Sequence, residues 1–221
     1  GKTLFIRGNR KITLTEDGIL FKKRAEEIID LVKKTETEFA NTPDTISGEI
    51  FIGGGETLGM QFIANILNEL HEDYPNIRYN IFSGNGNDVC EKLDNGLLDF
   101  GILIEPVDVD KYNYIKLPYY DTWGVLMKKD SPLTNLDIIK PKDIINLPLI
   151  CSRQSLIKNR LSNWIGTDYE NLDIVATYNL IFNAALMVKE GLGYALCVDN
   201  LIDTTANHDL CFRPVMNSEH S

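Results

Sequence analysis

Long apolar runs are absent from this chain of 221 residues. None approaches the roughly 20 consecutive apolar residues that a membrane-spanning helix requires. Hydrophobic residues still make up 43% of the sequence, which is enough to build a buried core in one large or two small domains. The composition therefore predicts a soluble globular protein without a membrane partner.

Cysteine and histidine are scarce. The four cysteines, Cys90, Cys151, Cys197 and Cys211, show neither CxxC nor Cys/His ligand spacing, so we expect reduced thiols, a cytoplasmic location and no metal site. A redox pair such as Cys197 with Cys211 remains an alternative. Only three histidines occur, and the chain has no HExxH, Gly-x-Ser-x-Gly or phosphate-loop motif. We therefore expect neither an enzyme nor a bound cofactor.

Basic residues are few and unevenly placed. The formal net charge is −10, yet residues 1–11 carry four basic side chains and no acidic one. An acidic body repels DNA, whereas a basic tip attracts it. This asymmetry assigns any contact with nucleic acid to the amino-terminal end.

The basic end has the pattern of a β-hairpin. Residues 4–7 and 11–15 alternate in polarity on either side of a Gly8-Asn9-Arg10 turn. This wing-like tip would present Arg7, Asn9, Arg10 and Lys11 to DNA. Basic turns are also common on surfaces that bind nothing, so the tip alone is a weak signal.

A long amphipathic helix is predicted next. Thr15 supplies a hydroxyl cap, and the helix ends near residues 41–44. A narrow apolar stripe with heptad spacing follows the cap, so the helix is expected either to lie on its own domain or to pair with a second chain. The stripe consists of Phe21, Ala25, Ile28, Val32, Thr35 and Phe39.

The stretch from Gly48 to Gly84 has the pattern of a βαβ unit. A short apolar run at residues 50–52 and another at 77–82 flank a helix with apolar residues at three- and four-residue steps. Between strand and helix, Gly53, Gly54 and Gly55 predict a tight turn that leaves the first helical amides, near Thr57, open to a ligand. The alternative is that the glycines only form a turn and that Thr57 only caps the helix.

The rest of the chain continues the alternation of strands and helices. We expect a buried strand at 99–104, a further strand at 114–117 and a lobe boundary near residues 118–121. A second lobe then has strands at 147–151, 172–177 and 194–198, with helices at 155–165 and 179–190. The turn that begins with Ser152 and Arg153 matches the triple-glycine turn in position, so the two turns are predicted to face each other across a ligand cleft.

Together these motifs resemble the LysR-type transcriptional regulators over essentially the whole chain. LFIRGNRKITLTEDG is similar to the end of that family's winged helix-turn-helix and the start of its linker helix. GEIFIGGGETLG, LDNGLLDFGILIEP, DTWGVLMKKDSPL, LPLICSR and VKEGLGYAL resemble its effector-binding domain. The resemblance implies an α/β fold, namely a two-lobed Rossmann-like domain similar to type 2 periplasmic binding proteins, preceded by a wing hairpin and a long linker helix.

The resemblance also implies a domain plan. Residues 1–15 would be the remnant of the wing, 16–43 the linker and dimerisation helix, 48–118 lobe I, 119–212 lobe II, and 213–221 the start of a return crossover to lobe I. We expect the sequence to be a fragment that lacks the DNA-reading helices and has an incomplete lobe I.

By the same resemblance, an effector binds in the cleft between the lobes. Thr57 and Ser83 would offer hydroxyls and Arg153 would bind an anionic effector, whereas Glu105 argues against a simple anion. The alternative is that Arg153 is an exposed surface residue without a ligand contact, because Arg side chains are mostly exposed. The positions carried over are Glu56, Thr57, Ser83, Gly84, Ile104, Glu105, Ser152, Arg153 and Val198.

The function implied is that of a ligand-responsive transcriptional regulator, a homodimer or homotetramer that binds DNA when intact. The alternative is a solute-binding protein of similar fold. The basic hairpin and the heptad helix disfavour that alternative, because a transport receptor has no use for either.

Overall fold

A computed structural model describes residues 1–8, 11–40, 46–105, 107, 109–153, 160–205 and 209–216. Within these ranges the chain forms a hairpin, a long helix and two α/β lobes. None of the helices described there has the length and apolar character needed to cross a membrane.

The amino-terminal hairpin is confirmed. Strands β1 (Phe5–Arg7) and β2 (Ile12–Leu14) pair antiparallel. Asn9 and Arg10, predicted to contact DNA from the turn, lie outside the described residues, while Arg7 and Lys11 are exposed. Helix α1 (Glu16–Ala40) follows, and the Thr15 hydroxyl caps it by accepting from the Gly18 amide at 3.0 Å.

Helix α1 is attached to the first lobe by ionic contacts. Lys34 is only 9% exposed, and its Nζ lies 2.6 Å from Oδ1 of Asp99 and 5.1 Å from the centre of the Phe51 ring. Nearer the amino end, Lys23 Nζ lies 2.7 Å from Oε1 of Glu91. A charged face of α1 therefore packs on the lobe.

The predicted heptad stripe lies on a different face of α1 from Lys34. At 3.6 residues per turn, Ile28 and Val32 lie roughly 120° and 160° around the helix from Lys34. Phe21, Ile28, Val32 and Phe39 are between 51% and 86% exposed, and Ala25 is half-buried. The described part of this chain leaves the stripe uncovered.

Lobe I contains a three-stranded parallel sheet in the order β4-β3-β5. Because β4 and β5 flank β3 on opposite sides, right-handed crossovers place α2 and α3 on opposite faces of the sheet. The predicted βαβ unit is confirmed. The elements are β3 (Gly48–Gly54), α2 (Met60–Asp73), β4 (Ile77–Ser83), α3 (Gly86–Asp94) and β5 (Phe100–Ile102).

Lobe I differs from the sequence prediction in the extent of its sheet and in how much of its apolar surface is buried. Residues 114–117 do not form the expected strand, and Ile115 is 90% exposed. Strand β5 is shorter than the predicted 99–104, and Phe100 is 60% exposed instead of buried. Helix α2 has no fully buried residue. The physical reason is that three strands provide too little surface to cover every apolar side chain around them.

Within the triple glycine, close packing and not a left-handed turn accounts for Gly53. None of Gly53, Gly54 and Gly55 has a positive φ. A Cβ on Gly53 would lie 2.4 Å from Cδ1 of Leu98 and 3.1 Å from Cγ1 of Val89. Gly53 is therefore needed because α3 and the following turn approach the strand closely.

Lobe II contains a five-stranded sheet in the order β10-β6-β9-β7-β8, in which β6 runs antiparallel to β9 and β10. The predicted helix at 155–165 is described from residue 160 onward, since 154–159 lie outside the described residues. The elements are β6 (Trp123–Lys128), α4 (Pro141–Ile144), β7 (Leu149–Ser152), α5 (Arg160–Ile165), β8 (Ile174–Tyr178), α6 (Ile181–Lys189), β9 (Tyr194–Val198) and β10 (Leu210–Pro214).

The second sheet extends past the predicted domain boundary at residue 212. Arg213 pairs with Val125 and Pro214 with Gly124, so both residues lie in lobe II and not in a return crossover. The other boundaries stay predictions, and residues 217–221 lie outside the described part of the chain.

The buried thiols are inert by position. Burial raises the pKa of Cys151 and of Cys197 to about 12. Strand β6 separates Cys197 on β9 from Cys211 on β10, a span of roughly 9.5 Å for two strand spacings. Disulfides need Cα atoms within about 7 Å. The structure therefore does not support the alternative of a Cys197–Cys211 redox pair.

Candidate functional site

A cavity of about 100 Å³ lies where the two lobes meet. Its walls come from the ends of strands in both sheets. Lobe I contributes Gly55, Glu56, Gly84, Asn85, Gly86, Ile102, Leu103, Ile104 and Glu105. Lobe II contributes Trp123, Ser152, Tyr178, Asn179, Ile181, Cys197, Val198 and Leu201.

The topology explains why these residues converge. In lobe I the carboxyl ends of β3, β4 and β5 meet at one edge, and in lobe II those of β7, β8 and β9 do the same. Antiparallel β6 adds its amino end, with Trp123, to the edge of lobe II. Crevices at the carboxyl ends of parallel strands are the usual ligand sites of α/β folds.

The structure brings six of the nine predicted effector-site residues to this cavity. They are Glu56, Gly84, Ile104, Glu105, Ser152 and Val198. Thr57, Ser83 and Arg153 are not part of its lining. Effector contact by any of the nine stays a prediction.

Thr57 has a structural role that the sequence suggested only in part. Helix α2 begins at Met60, three residues later than expected, because residues 57–59 form a turn whose carbonyls accept from the amides of residues 60–62. The expected open amides at this helix start are thus already bonded. Thr57 is 8% exposed, and its Oγ1 accepts from the Gly59 amide at 2.9 Å.

Thr57 also reaches the segment that joins the lobes. Its Oγ1 lies 2.8 Å from Oδ1 of Asp121, to which it donates. Burial raises the pKa of Asp121, the charge of Asp199 raises it further, and the hydrogen bond from Thr57 opposes the shift. Asp199 also accepts from the Thr122 amide at 3.1 Å, which ties the segment to the end of β9.

A second contact joins the lobes directly. The carboxylate of Glu56 in lobe I accepts a hydrogen bond from the amide of Ile181, the first residue of α6 in lobe II. Leu180, the residue before this helix, has no oxygen in its side chain to serve as a cap. Glu56 therefore caps the helix from the opposite lobe.

Some lining residues were missed by sequence reasoning. Asn85 begins α3 with a reciprocal capping box to Asp88, a signal that the spacing Asn-x-x-Asp already contained. Trp123, Tyr178, Asn179 and Leu201 carried no such signal. Tyr178 donates through its hydroxyl to the Leu196 carbonyl at 2.6 Å, and burial raises its pKa well above the usual range.

The charges around the cavity are negative. Among the 17 described residues that line it, only Glu56 and Glu105 carry a formal charge. The Glu105 side chain is 77% exposed and lies 3.2 Å from Lys116 Nζ. Arg153, predicted to bind an anion, is exposed and lies outside the lining. No cluster of three metal-ligating side chains occurs in the described part of the chain.

Comparison with known families decides the identity of the chain. Residues 43–220 match the LysR substrate binding domain. The chain belongs to the LysR family. The match covers both lobes, and the preceding hairpin and α1 are the regions that resemble the wing and linker helix.

Curated relatives of this LysR domain include the HTH-type transcriptional regulator YtlI of Bacillus subtilis. It is 25% identical over 201 residues, which cover 89% of this chain and 63% of the relative. The chain spans less than two thirds of the length of the first such relatives, between 62% and 65%.

Solved structures agree with the fold. HinK, a LysR family transcriptional regulator from Pseudomonas aeruginosa, superposes with a TM-score of 0.58 at 19% identity, covering 92% of this chain and 72% of that chain. The effector binding domain of QuiR in complex with shikimate gives a TM-score of 0.61 at 17% identity, covering 79% and 83%. The LysR domain thus has the two-lobed α/β fold of effector-binding domains, similar to type 2 periplasmic binding proteins.

Proposed function

We propose that this chain is the effector-binding and dimerisation part of a ligand-responsive, DNA-binding transcriptional regulator, in which a small molecule binds between the lobes. The carrying observation is the cavity itself. Both lobes contribute strand ends to its wall, and Glu56 already bridges the two lobes across it. A ligand that contacts both walls would change how the lobes are held together.

The amino-terminal elements support a regulator over a solute-binding protein. The basic hairpin and α1 have no role in transport, whereas a regulator needs a link between its effector domain and DNA. Arg7, Asn9, Arg10 and Lys11 are proposed to contact DNA in the longer protein. The exposed α1 stripe is proposed to pair subunits into a homodimer or homotetramer. Membership of a regulator family also favours a cytoplasmic, regulatory role over catalysis.

A thermal-shift screen of small metabolites tests this function. The screen includes neutral, cationic and anionic metabolites, among them shikimate, because the effector binding domain of QuiR was solved with it. A ligand at 100 times its dissociation constant adds about 2.7 kcal/mol to the free energy of unfolding. A regulator of this kind should show a clear rise in melting temperature with one metabolite.

A variant that fills the cavity provides the control. Gly55→Leu places a side chain in the cavity, because a Cβ there meets only ordinary contacts, 3.6 Å from Cδ1 of Ile104. Ser83→Leu adds the same side chain at the same sheet edge but outside the lining. The ligand-induced shift should disappear in the first variant and persist in the second. An equal shift in both variants would place the site elsewhere.

A further inference from the structure

The amino end of α6 is occupied by a carboxylate from the other lobe. Amino ends of helices carry a positive partial charge and commonly bind anions. Here the Glu56 carboxylate accepts from the Ile181 amide, and α6 has no side-chain cap of its own. Glu56 thus fills the place that an anionic effector would otherwise take at this helix.

The remaining wall offers an anion little compensation. Among the described residues that line the cavity there is no Lys or Arg. Glu105 is exposed and paired with Lys116, so among the described lining residues Glu56 is the charge that a molecule meets inside the cavity. The polar groups beside it are neutral, namely those of Asn85, Ser152, Tyr178 and Asn179.

We propose that Glu56 determines the charge selectivity of the cleft, so that the effector is a small neutral or cationic molecule with hydrogen-bond donors, such as an amide, alcohol or amine. An anion would have to displace Glu56 or lie beside it, and like charges a few ångströms apart repel strongly where water is excluded. At about 100 Å³ the cavity is smaller than the roughly 300–1,000 Å³ of usual ligand pockets, which favours a small molecule. This inference rests on the proposed binding of the effector in the cleft.

Three probes with the same branched carbon skeleton test the selectivity: isobutyrate, isobutyramide and isobutylammonium. Each is titrated against the chain at pH 7, with Trp123 fluorescence and the methyl signals of Ile104 and Ile181 reporting binding inside the cavity. The amide and the ammonium ion should bind at least about tenfold more tightly than isobutyrate.

Glu56→Gln is the diagnostic variant. It keeps the shape and an oxygen that can accept from Ile181, but it removes the charge. The ratio of the dissociation constant of isobutyrate to that of isobutyramide should fall at least about fivefold. Glu49→Gln is the matched control, because Glu49 is an exposed residue of lobe I whose carboxylate accepts from Asn80 at 2.8 Å. It removes one negative charge outside the cavity and should leave the preference unchanged.

The outcomes separate this inference from the proposed function. If isobutyrate binds the unmodified chain as tightly as isobutyramide does, the proposed selectivity is wrong. The cleft would still be a binding site in that case. The same holds if Glu56→Gln changes nothing. If no probe perturbs Trp123, Ile104 or Ile181, the proposal that the effector binds in the cleft is wrong, and so is the proposed selectivity.

Fluorescence quenching gives a readout that needs no ligand affinity. The chain has two tryptophans, and Trp164→Phe leaves Trp123 in the cavity wall as the reporter. In this background, caesium should quench Trp123 more effectively than iodide when each is expressed relative to its quenching of free N-acetyltryptophanamide, and Glu56→Gln should raise the ratio of iodide to caesium quenching about twofold. An unchanged ratio contradicts the proposal. Circular dichroism checks that Trp164→Phe, which loses a hydrogen bond to the Met216 carbonyl, remains folded.

Discussion

The hydroxyl of Thr57 lies 2.8 and 2.9 Å from the two carboxylate oxygens of Asp121. One residue belongs to the turn before α2 in lobe I, and the other to the segment that enters lobe II. The same hydroxyl accepts from the Gly59 amide, so a single side chain orders the turn and attaches the inter-lobe segment to it. Thr57 is therefore expected to contribute to stability as well as to any effect on ligand affinity.

Thr57→Val should lower the free energy of unfolding by about 1–2 kcal/mol. Valine keeps the shape but loses the donor to a charged group, and it leaves the Gly59 amide without its acceptor. Thr37→Val is the matched control, because Thr37 donates only to the Lys33 carbonyl one helical turn away. Urea unfolding of both variants measures the difference. Equal values would show that the Asp121 contact adds nothing to stability.

Asp121→Asn should gain stability relative to the unmodified chain as the pH rises. The folded-state pKa of Asp121 is raised, chiefly by burial, so the folded protein holds this proton more tightly than the unfolded protein does. That contribution is present below the ordinary Asp pKa of about 3.9 and is lost as the pH passes the raised value.

Melting temperatures at pH 4 and pH 7 measure this effect. The advantage of Asp121→Asn over the unmodified chain should be larger at pH 7. Asp137→Asn replaces an exposed aspartate in lobe II and controls for the change in net charge. A difference that stays constant between the two pH values would mean that Asp121 binds its proton no more tightly in the folded state.

Lys34→Met should destabilise the chain by about 1–3 kcal/mol, because it leaves the partly buried Asp99 without its ammonium partner. Asp99 still accepts from the Phe51 amide at 2.8 Å, which limits the loss. Lys23→Met removes an exposed pair with Glu91 and should cost about 0–1 kcal/mol. Thermal or urea unfolding ranks the two variants. A larger loss for Lys23→Met would refute the assignment of Lys34 as the anchor of α1.

Ile28→Asp should weaken self-association at least about tenfold, since it places a charge in the apolar stripe of α1. Ile46→Asp is matched in exposure, as both isoleucines are 63% exposed, but it lies outside α1 and should leave association unchanged. Sedimentation velocity at micromolar concentration measures both. A monomeric unmodified chain under these conditions would refute pairing through the stripe.

The wing should add sequence-independent affinity for DNA in the longer protein. Replacing Arg7, Arg10 and Lys11 by Ala is expected to weaken binding to all sequences and to lower the salt slope by roughly one unit per lost phosphate contact. Titration of DNA at several salt concentrations gives the slope. If the slope stays the same, these residues do not contact phosphates.

Much of the fold could be read from local patterns. The hairpin, α1 and the βαβ unit were predictable because apolar periodicity and capping residues act within a few residues of one another. The predictions were wrong where a strand depends on a neighbouring strand or a helix depends on a surface that buries its apolar face. Residues 114–117 have strand composition but pair with no strand in the described ranges, and Phe100 lies on a sheet too narrow to bury it.

By itself, the sequence determined the order of elements and the family motifs, and the resemblance based on those motifs supplied six residues of the cavity wall. They lie together because the carboxyl ends of parallel strands meet at one edge of a sheet. Only the tertiary structure decided how those residues are used. In the folded chain, Thr57 donates a hydrogen bond to Asp121, and Glu56 accepts one from the amino end of α6. Arg153 lies outside the cavity lining. The physical reason is distance along the chain: Glu56 and Ile181 are 125 residues apart, and no local pattern encodes a hydrogen bond across that separation.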